Sequence, residues 1–395
     1  MLSYRGKILA DRTIGLVVSI FTAVLARIAG FFLKRNHDPA MHPKALAVAK
    51  FVGIGSIVYV GHFCRLLRRR FPEARIYFIT TKGFKTMAER LPDVDEVLIV
   101  NDTGLGRMIM TNISLIFKLW AIRPELYFDM EVYSSYSAVI ANLSLARNRY
   151  GFYRKSVAFK KGLFTHLVFF NTRRHISEIY RQMAIAAGAD NEGGILTAPI
   201  LYPEDDDQLL AVLERYGINQ KPVVLINPNA SELLLERRWL VERWTAYLDQ
   251  AVRRWSHAFF LIVGTSDEAA YVELIYEWLS GKTKENVVNL AGQLEFGAFL
   301  SLVKRARLVV TVDSGPLHLA AAFGKPTISL WGPVAPEHYA PIGGRHKTLY
   351  NPTYCSPCLH HADIPPCGGD NQCMKNIFVE ELIEATEEFF QADTW

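Results

Sequence analysis

The sequence lacks low-complexity tracts and short internal repeats, and its formal net charge is only +5. The first two absences exclude solenoid repeats and long disordered tails. The small net charge gives no reason to expect a nucleic-acid partner. What remains is a chain of 395 residues with a globular composition, half of it hydrophobic. This length suits two domains of roughly 150–200 residues each.

Cysteine is scarce: the chain has five, and four of them lie between Cys355 and Cys373. No signal-peptide cleavage site is found, so we expect a reducing cytosol, where disulfides are disfavoured. The spacing of Cys355, Cys358, Cys367 and Cys373 favours a structural zinc or iron site. Free thiols and a pair of disulfides are the alternatives.

Basic residues are concentrated in the first half of the chain, in three clusters. This asymmetry favours an anionic partner there, such as a phosphorylated lipid glycan or a membrane surface. Part of these side chains would serve only as solvated helix faces. The clusters are Arg65 with Arg68, Arg69 and Arg70; Arg154 and Lys155 with Lys160 and Lys161; and Arg173, Arg174 and His175.

An apolar stretch at residues 13–33 is about 21 residues long, and a bilayer core needs about 20. Arg27 lies within it, which counts against a simple span. Bulky apolar residues occupy one side of the helix and small residues the other, and basic residues flank the stretch. This pattern favours a helix that lies in the membrane interface. A single span and a helix buried on the protein are the alternatives.

Short apolar runs alternate with amphipathic stretches from Lys44 onward. Such alternation predicts right-handed βαβ units and parallel sheets. We therefore expect an α/β protein with two doubly wound, Rossmann-like domains facing a cleft. The predicted strands are 46–51, 76–80, 96–100 and 126–131, then 223–227, 259–264, 287–290, 308–312 and 327–330.

The domain boundary is indicated by the proline- and acid-rich residues 199–207. We expect an N-terminal membrane-associated helix at 1–43, a first domain at 44–200 and a second domain at 201–395. The cysteine cluster at 355–373 would belong to the second domain.

The first predicted strand is followed by a glycine loop at residues 52–56. Glycine lets the backbone approach a ligand closely and permits positive φ angles. A glycine pair is a weak signal, and the third glycine of the GxGxxG dinucleotide fingerprint is missing.

The sharpest motif is residues 312–322, Val-Asp-Ser-Gly-Pro-Leu-His-Leu-Ala-Ala-Ala. An apolar strand ends at Asp313, and Pro316 suits the first turn of a helix. The amides of residues 314–318 would then present the positive end of the helix dipole to a ligand, which suits a diphosphate. Ser314 could add a hydroxyl donor and His318 could neutralise a phosphate. Asp313 would accept from a sugar hydroxyl or simply cap the helix.

This motif, followed by Gly324-Lys325-Pro326 and Trp331-Gly332-Pro333, resembles the signature of glycosyltransferase family nine, the ADP-heptose:lipopolysaccharide heptosyltransferases. Weaker pieces agree in order at 50–55 with 65–72, 92–97, 227–231 with 237–239, 264–268 and 290–292. The resemblance covers about residues 44–395. It implies the GT-B fold and an inverting glycosyltransferase.

By this resemblance, the second domain binds a nucleotide-diphosphate sugar, ADP-heptose by default, and the first binds a lipid-linked or lipopolysaccharide-type glycan. The protein would work at the cytoplasmic face of the inner membrane, as a peripheral or monotopic protein, and its catalysis would need no cofactor. Arg237 stands where the family carries lysine. The implied donor-binding residues are Ser231, Arg237, Ser266, Glu268, Asp313, Ser314, Gly315, Pro316, Leu317 and His318, and the acceptor-side loop contains Gly53, Gly55 and Ser56.

The catalytic base is where the sequence departs from the family, which carries aspartate at the position of Ser56. Serine without a partner cannot take a proton at neutral pH, and a general base supplies about 10²–10⁴-fold in rate. We expect Glu131 to be the base, ahead of Asp129 and Asp102. The alternative is that Glu131 only caps the next helix.

The implied reaction is direct displacement at the anomeric carbon with inversion. A base activates the acceptor hydroxyl, while the helix N-terminus, Arg237 and His318 stabilise the departing diphosphate. No acidic pair of the DxD type is found on the required loop, so we expect no divalent metal in this step. A nucleotide-sugar- or glycolipid-binding protein without activity and a sugar epimerase of the same fold are the alternative functions.

Overall fold

The computed structural model describes residues 11–38, 42–191, 194, 196–218, 221–230, 235–359, 362 and 365–392, apart from the side chains of residues 12 and 105. The chain divides into two compact units, Met1–Pro199 and Ile200–Trp395. Each unit is built around a parallel sheet of six strands. The prediction of an α/β fold with two doubly wound sheets is therefore confirmed.

The first unit contains the sheet with the strand order β3-β2-β1-β4-β5-β6. All five residues of β1 are buried, as expected for a central parallel strand that helices cover on both faces. The strands are β1 (Ala45–Ala49), β2 (Arg75–Thr81), β3 (Glu96–Val100), β4 (Leu126–Asp129), β5 (Asn148–Tyr153) and β6 (His166–Phe169).

Helices cover both faces of this sheet. Because parallel crossovers are right-handed, the connections that move from β1 towards β3 lie on one face, and those that move from β3 towards β5 lie on the other. Helices α4 and α5 therefore share a face, while α2 and α3 cover the opposite one. The helices are α1 (Leu16–Phe32), α2 (Ile54–Arg70), α3 (Lys85–Ala88), α4 (Leu105–Ile122), α5 (Ser135–Leu143) and α6 (Ile176–Ala186).

The N-terminal helix α1 packs on α5. Its small residues Ser19, Thr22, Ala23 and Ala26 are buried, and its bulky apolar residues are exposed. Helix α1 thus has the predicted division into a side of small residues and a side of bulky apolar residues, and the side of small residues contacts the rest of the protein. Within the described part of the chain, Thr13–Phe32 is the one helical stretch that is long and apolar enough to cross a bilayer.

The N-terminal segment is also fixed by hydrogen bonds before and after α1. The Asp11 carboxylate accepts from the backbone amides of Ser135 at 2.9 Å and Tyr136 at 2.6 Å, and so caps α5. Beyond the helix, the Arg147 guanidinium donates to the Asn36 carbonyl at 2.6 Å. Helix α1 is therefore docked along the first unit.

The second unit contains the sheet with the order β12-β11-β10-β7-β8-β9. Its strands are β7 (Val223–Asn227), β8 (Phe259–Ile262), β9 (Val287–Asn289), β10 (Leu308–Val312), β11 (Thr327–Trp331) and β12 (His346–Tyr350). Its helices are α7 (Pro203–Arg215), α8 (Val241–Arg254), α9 (Ala269–Glu277), α10 (Phe296–Arg305), α11 (Gly315–Ala322), α12 (Pro336–Tyr339), α13 (Gln372–Lys375) and α14 (Val379–Ala392).

Candidate functional site

Each sheet reverses its strand order at one place, between β1 and β4 in the first unit and between β7 and β10 in the second. In doubly wound sheets, ligands bind beyond the carboxyl ends of the strands at such a switch point. Glu131 follows β4 and Asp313 follows β10. Both of these predicted site residues therefore lie where the topology places a binding site.

In the second unit, Asp313 contacts Arg237. The guanidinium Nη1 donates to the Asp313 backbone carbonyl at 3.0 Å and lies 3.4 Å from the carboxylate Oδ2. Burial of the carboxyl group raises the pKa of Asp313 above its usual value, and the charge of Arg237 opposes this rise. Two residues that were predicted separately for donor binding thus lie together at the end of β10, and Arg237 only partly offsets the cost of burying the Asp313 carboxyl.

Ser314 accepts a hydrogen bond from Asn227, which was not among the predicted site residues. The Asn227 side-chain amide donates to the Ser314 hydroxyl at 2.7 Å and to the Thr311 hydroxyl at 2.9 Å. Asn227 and Thr311 are direct neighbours across β7 and β10. A polar residue that ends an otherwise apolar strand was the available signal for Asn227.

Helix α11 begins directly after this cluster. Among the described residues no side chain caps it. The Ser314 hydroxyl bonds instead to Asn227 and to the Val312 carbonyl. The positive end of the helix dipole favours an anion by about 0.3–1 kcal/mol. Since Leu317 is a fully buried core side chain, it could offer a ligand only its backbone. The start of α11 is therefore electrostatically suited to an anion, and the phosphate site stays a prediction.

The other predicted donor-side residues differ in their placement. His318 lies in the first turns of α11 and is only 5% exposed. Ser266 is exposed in the short turn Ser266–Glu268 after β8. The Glu268 carboxylate accepts from the Thr265 amide at 2.9 Å and so caps this turn. Ser231 lies outside the described residues.

In the first unit, Glu131 connects the ends of β1 and β4. Its carboxylate accepts from the Lys50 ammonium at 2.9 Å, from the Phe51 amide at 2.8 Å and from the Val52 amide at 3.2 Å. Lys50 is itself buried. Glu131 therefore holds the start of the glycine loop, and its role as the base stays a prediction.

The two other candidate bases lie in different surroundings. Asp129 is fully buried, 3.0 Å from the Lys160 ammonium and 2.9 Å from the Ser137 hydroxyl. Its burial raises the pKa of the carboxyl group, which Lys160 opposes. Asp102 follows β3, the edge strand, which lies two strands or about 10 Å from β1. Of the candidate bases next to the switch point, Glu131 is thus the one whose side chain is partly exposed.

The glycine loop ends at a hydrogen bond between Ser56 and Tyr180. Gly53 has a φ angle of 92°, a conformation that favours glycine. Burial raises the pKa of Tyr180, as does the negative charge of Glu131, and the bond from Ser56 opposes this. Tyr180 lies on α6, more than a hundred residues from the loop, and the sequence offered no signal for it. Gly55 lies in the first turn of α2.

The four clustered cysteines line one cavity of about 310 Å³ together with Pro333 and with Glu236, the residue before Arg237. All four are free thiols. Burial raises the pKa of Cys358, as do the charges of the other three. Among the described residues, no three side chains are already assembled as metal ligands. The metal site therefore stays a prediction.

Comparison with known proteins gives a family match. The family model described as glycosyltransferase family 9 (heptosyltransferase) matches residues 131–367. This range includes Glu131, Arg237 and the whole Asp313 motif.

Among curated proteins, lipopolysaccharide heptosyltransferase 3 of Escherichia coli is 24% identical over 335 residues, 83% of this chain and 92% of that protein. Lipopolysaccharide heptosyltransferase 2 of Salmonella typhimurium is 22% identical over 310 residues, 75% of this chain and 85% of that protein. Lipooligosaccharide heptosyltransferase 2 of Haemophilus influenzae is 29% identical over a shorter stretch of 128 residues, 32% of this chain and 36% of that protein.

Among solved structures, the chain is similar to a family 9 glycosyl transferase from Veillonella parvula, with a TM-score of 0.74 and 19% identity, over 90% of this chain and 100% of that one. It is also similar to ADP-heptose lipopolysaccharide heptosyltransferase II of E. coli, with a TM-score of 0.71 and 18% identity, over 88% of this chain and 99% of that one. At these identities the likeness shows the fold.

Proposed function

We propose, since this chain belongs to glycosyltransferase family 9, the heptosyltransferase family, that it transfers heptose from ADP-heptose to a lipid-linked glycan of the lipopolysaccharide type. Heptosyltransferase-type transfer in lipopolysaccharide biosynthesis follows from the family and the relatives. The identities of the donor, ADP-heptose, and of the acceptor, a lipid-linked glycan, are what we propose beyond the family. The observation that carries it is the contact between Arg237 and Asp313 at the uncapped start of α11.

The leaving group is the nucleoside diphosphate. We place its phosphates at the first amides of α11, with the Arg237 guanidinium beside them. Bonds from a charged donor to a phosphate are about twice as strong as neutral ones, and they strengthen as the bond to the sugar breaks. His318 adds to this charge balance. Asp313 orients Arg237 and accepts from a hydroxyl of the sugar.

The acceptor hydroxyl attacks the anomeric carbon from the side opposite the diphosphate. The new C–O bond forms as the bond to the phosphate oxygen breaks, so the anomeric configuration inverts. Glu131 takes the proton of the hydroxyl, and Lys50 and two backbone amides hold its carboxylate in position. Ser56 has no proton-transfer role. This scheme assigns no step to a metal or to another cofactor.

The membrane contact is proposed through α1. Its exposed bulky side chains would lie in the headgroup region of the inner membrane on the cytoplasmic side, with its small side docked on α5. The proposed lipid-linked acceptor would lie on that surface. Family membership favours transfer over both alternative functions, the binding protein without activity and the epimerase.

Product analysis tests the proposed reaction. We expect the purified chain to form a glycoside from ADP-heptose and a lipopolysaccharide core acceptor, with inverted anomeric configuration by NMR. Arg237→Ala should lower kcat/KM by about ten- to a hundredfold, since a charge-assisted bond contributes roughly 1.5–3 kcal/mol. The matched control is Arg254→Ala, an exposed arginine at the end of α8. Unchanged turnover in Arg237→Ala and His318→Ala would remove the donor site from this loop.

A further inference from the structure

Helix α4 of the first unit is apolar on two sides. One side packs into the core through Leu115 and Leu119, with Met108, Ile116 and Ile122 beside them. The other side carries five large apolar side chains that are 43–72% exposed. A helix that is apolar all round normally has both sides covered. The exposed residues are Ile109, Met110, Ile113, Phe117 and Trp120.

These five residues form one continuous row. At 3.6 residues per turn they fall within an arc of about 100° on the helix surface. Scattered apolar residues on a protein surface need no explanation, but a contiguous row over a whole helix marks an interaction site. We call this row the α4 face.

Helix α5 contacts both α4 and α1. The Trp120 indole donates to the Leu143 carbonyl at 2.7 Å, and the Asn142 amide donates to the Ser19 carbonyl at 3.3 Å. Consecutive residues of α5 thus contact α4 and α1. Both helices belong to the layer on the same face of the first sheet.

The charges of this layer have one sign. Helices α1 and α4 together contain three charged residues, Arg27, Arg107 and Lys118, and no acidic residue. Arg107 is exposed in the first turns of α4, and Arg123 is exposed just after its end. Lys118 pairs with Glu96 at 2.5 Å. An apolar row with basic ends is complementary to anionic lipid headgroups above an acyl layer.

We propose that the α4 face inserts into an anionic phospholipid bilayer beside α1, so that the first unit is held on the membrane by two helices. A second copy of this chain is the less suitable occupant. A twofold contact would place the same basic residues against each other, and like charges across an interface are unfavourable. The Trp120 indole N–H is bonded to the Leu143 carbonyl, so Trp120 offers the bilayer the exposed apolar part of its ring.

Vesicle flotation tests this inference with the full chain. The probes are vesicles of phosphatidylethanolamine with phosphatidylglycerol and, separately, vesicles of phosphatidylcholine alone. The α4 variant is Ile113→Gln with Phe117→Gln. The matched control is Leu210→Gln with Leu274→Gln, two exposed leucines on helices of the second unit. A third variant, Phe21→Gln with Phe31→Gln, measures the contribution of α1.

We expect the α4 variant to bind anionic vesicles at least tenfold more weakly than the wild type, with an unchanged unfolding temperature, while the control variant binds normally. Binding to phosphatidylcholine should be weaker throughout. Trp120 is the one tryptophan among the first 199 residues. Quenching of the tryptophan fluorescence by brominated lipid should therefore decrease in Trp120→Phe.

Three results would overturn the inference. The α4 variant could float as well as the wild type, which leaves α1 as the membrane contact. The wild type could fail to float, which removes both contacts. The wild type could be a dimer in lipid-free buffer that the α4 variant makes monomeric, which assigns the face to a second copy. Because the inference rests on the proposed lipid-linked acceptor, turnover on a water-soluble acceptor is measured in parallel; its absence in every variant would count against the proposed function, not against the α4 face.

Discussion

At the scale of single residues, Asp313 shows how a binding site costs stability. A carboxyl whose pKa is raised on folding contributes stability below its unfolded pKa, and this contribution is lost as the pH rises through the folded pKa. At neutral pH, the raised pKa of the buried Asp313 therefore destabilises the free protein relative to a neutral residue of the same shape. Binding residues that are unfavourable without their ligand are common at functional sites.

We therefore expect Asp313→Asn to unfold at the same temperature as the wild type or a higher one at pH 7.5. The difference in unfolding temperature between the variant and the wild type should shrink as the pH falls towards about 4, because the wild-type carboxyl then becomes protonated and neutral. Affinity for the donor should fall by about tenfold or more. Thermal unfolding from pH 4 to 8 and calorimetric titration measure both effects. A variant that is less stable at every pH would show that the ion pair with Arg237 is structural.

Glu131 is the residue whose proposed role is most open to test. Glu131→Gln keeps the shape and can still accept from the Phe51 amide, but it cannot take a proton. We expect kcat to fall by about 10²–10⁴-fold with little change in the KM for the donor. Ser56→Ala is the matched control and should change kcat far less. If Lys50→Met lowered kcat as much as Glu131→Gln, the result would instead indicate that Glu131 only positions the glycine loop.

At the scale of elements, the sequence predicted nine strands and missed three. The missed strands are β5 and β12, which carry polar residues, and β6, an edge strand that is half exposed. Strand β5 reads Asn-Arg-Tyr-Gly-Phe-Tyr, and no element was predicted there or at β6. Asn148 and Arg149 are nonetheless buried, because Asn148 bonds with His37 at 3.1 Å and Arg149 with the Ala146 carbonyl at 3.0 Å. The partner of Asn148 lies more than a hundred residues away, so the burial of this polar residue could not be predicted from the pattern of the strand itself.

The same limit applies to the site. The Asp313 motif was recognisable because strand, turn and helix are contiguous in sequence. Asn227 and Tyr180 were missed because they reach Ser314 and Ser56 only through strand pairing or helix packing. A sequence motif can predict where a helix begins, but it does not predict which neighbouring strand supplies the side chains that bond to that position.

The cysteine segment between β12 and α14 carries the metal prediction. We expect protein purified without a metal-affinity column to contain about one zinc or iron per chain by elemental analysis. Cys358→Ser should lose it, while Cys64→Ser, a buried cysteine of α2 outside the cluster, should keep it. Less than about a tenth of an equivalent, together with four titratable thiols in the cluster, would rule the metal out.

At the scale of the whole molecule, ligand binding should be visible as stability. A ligand present at 100 times its Kd adds about 2.7 kcal/mol to the free energy of unfolding. We expect ADP-heptose to raise the unfolding temperature more than GDP-, UDP- or CDP-sugars at equal concentration. Equal shifts from all four would show that the nucleobase is not recognised. No shift from any of them would contradict a donor site in the free enzyme.

The proposed membrane contact through the layer of α1, α4 and α5 would have a consequence for how the acceptor arrives. Because these helices cover one broad face of the first sheet, resting that face on a bilayer holds the strands parallel to the lipid surface. The carboxyl ends of β1 and β4 then open sideways, along the membrane. A glycolipid would reach them by diffusion in two dimensions, so its rate of capture would depend on its surface density and not on its concentration in bulk water.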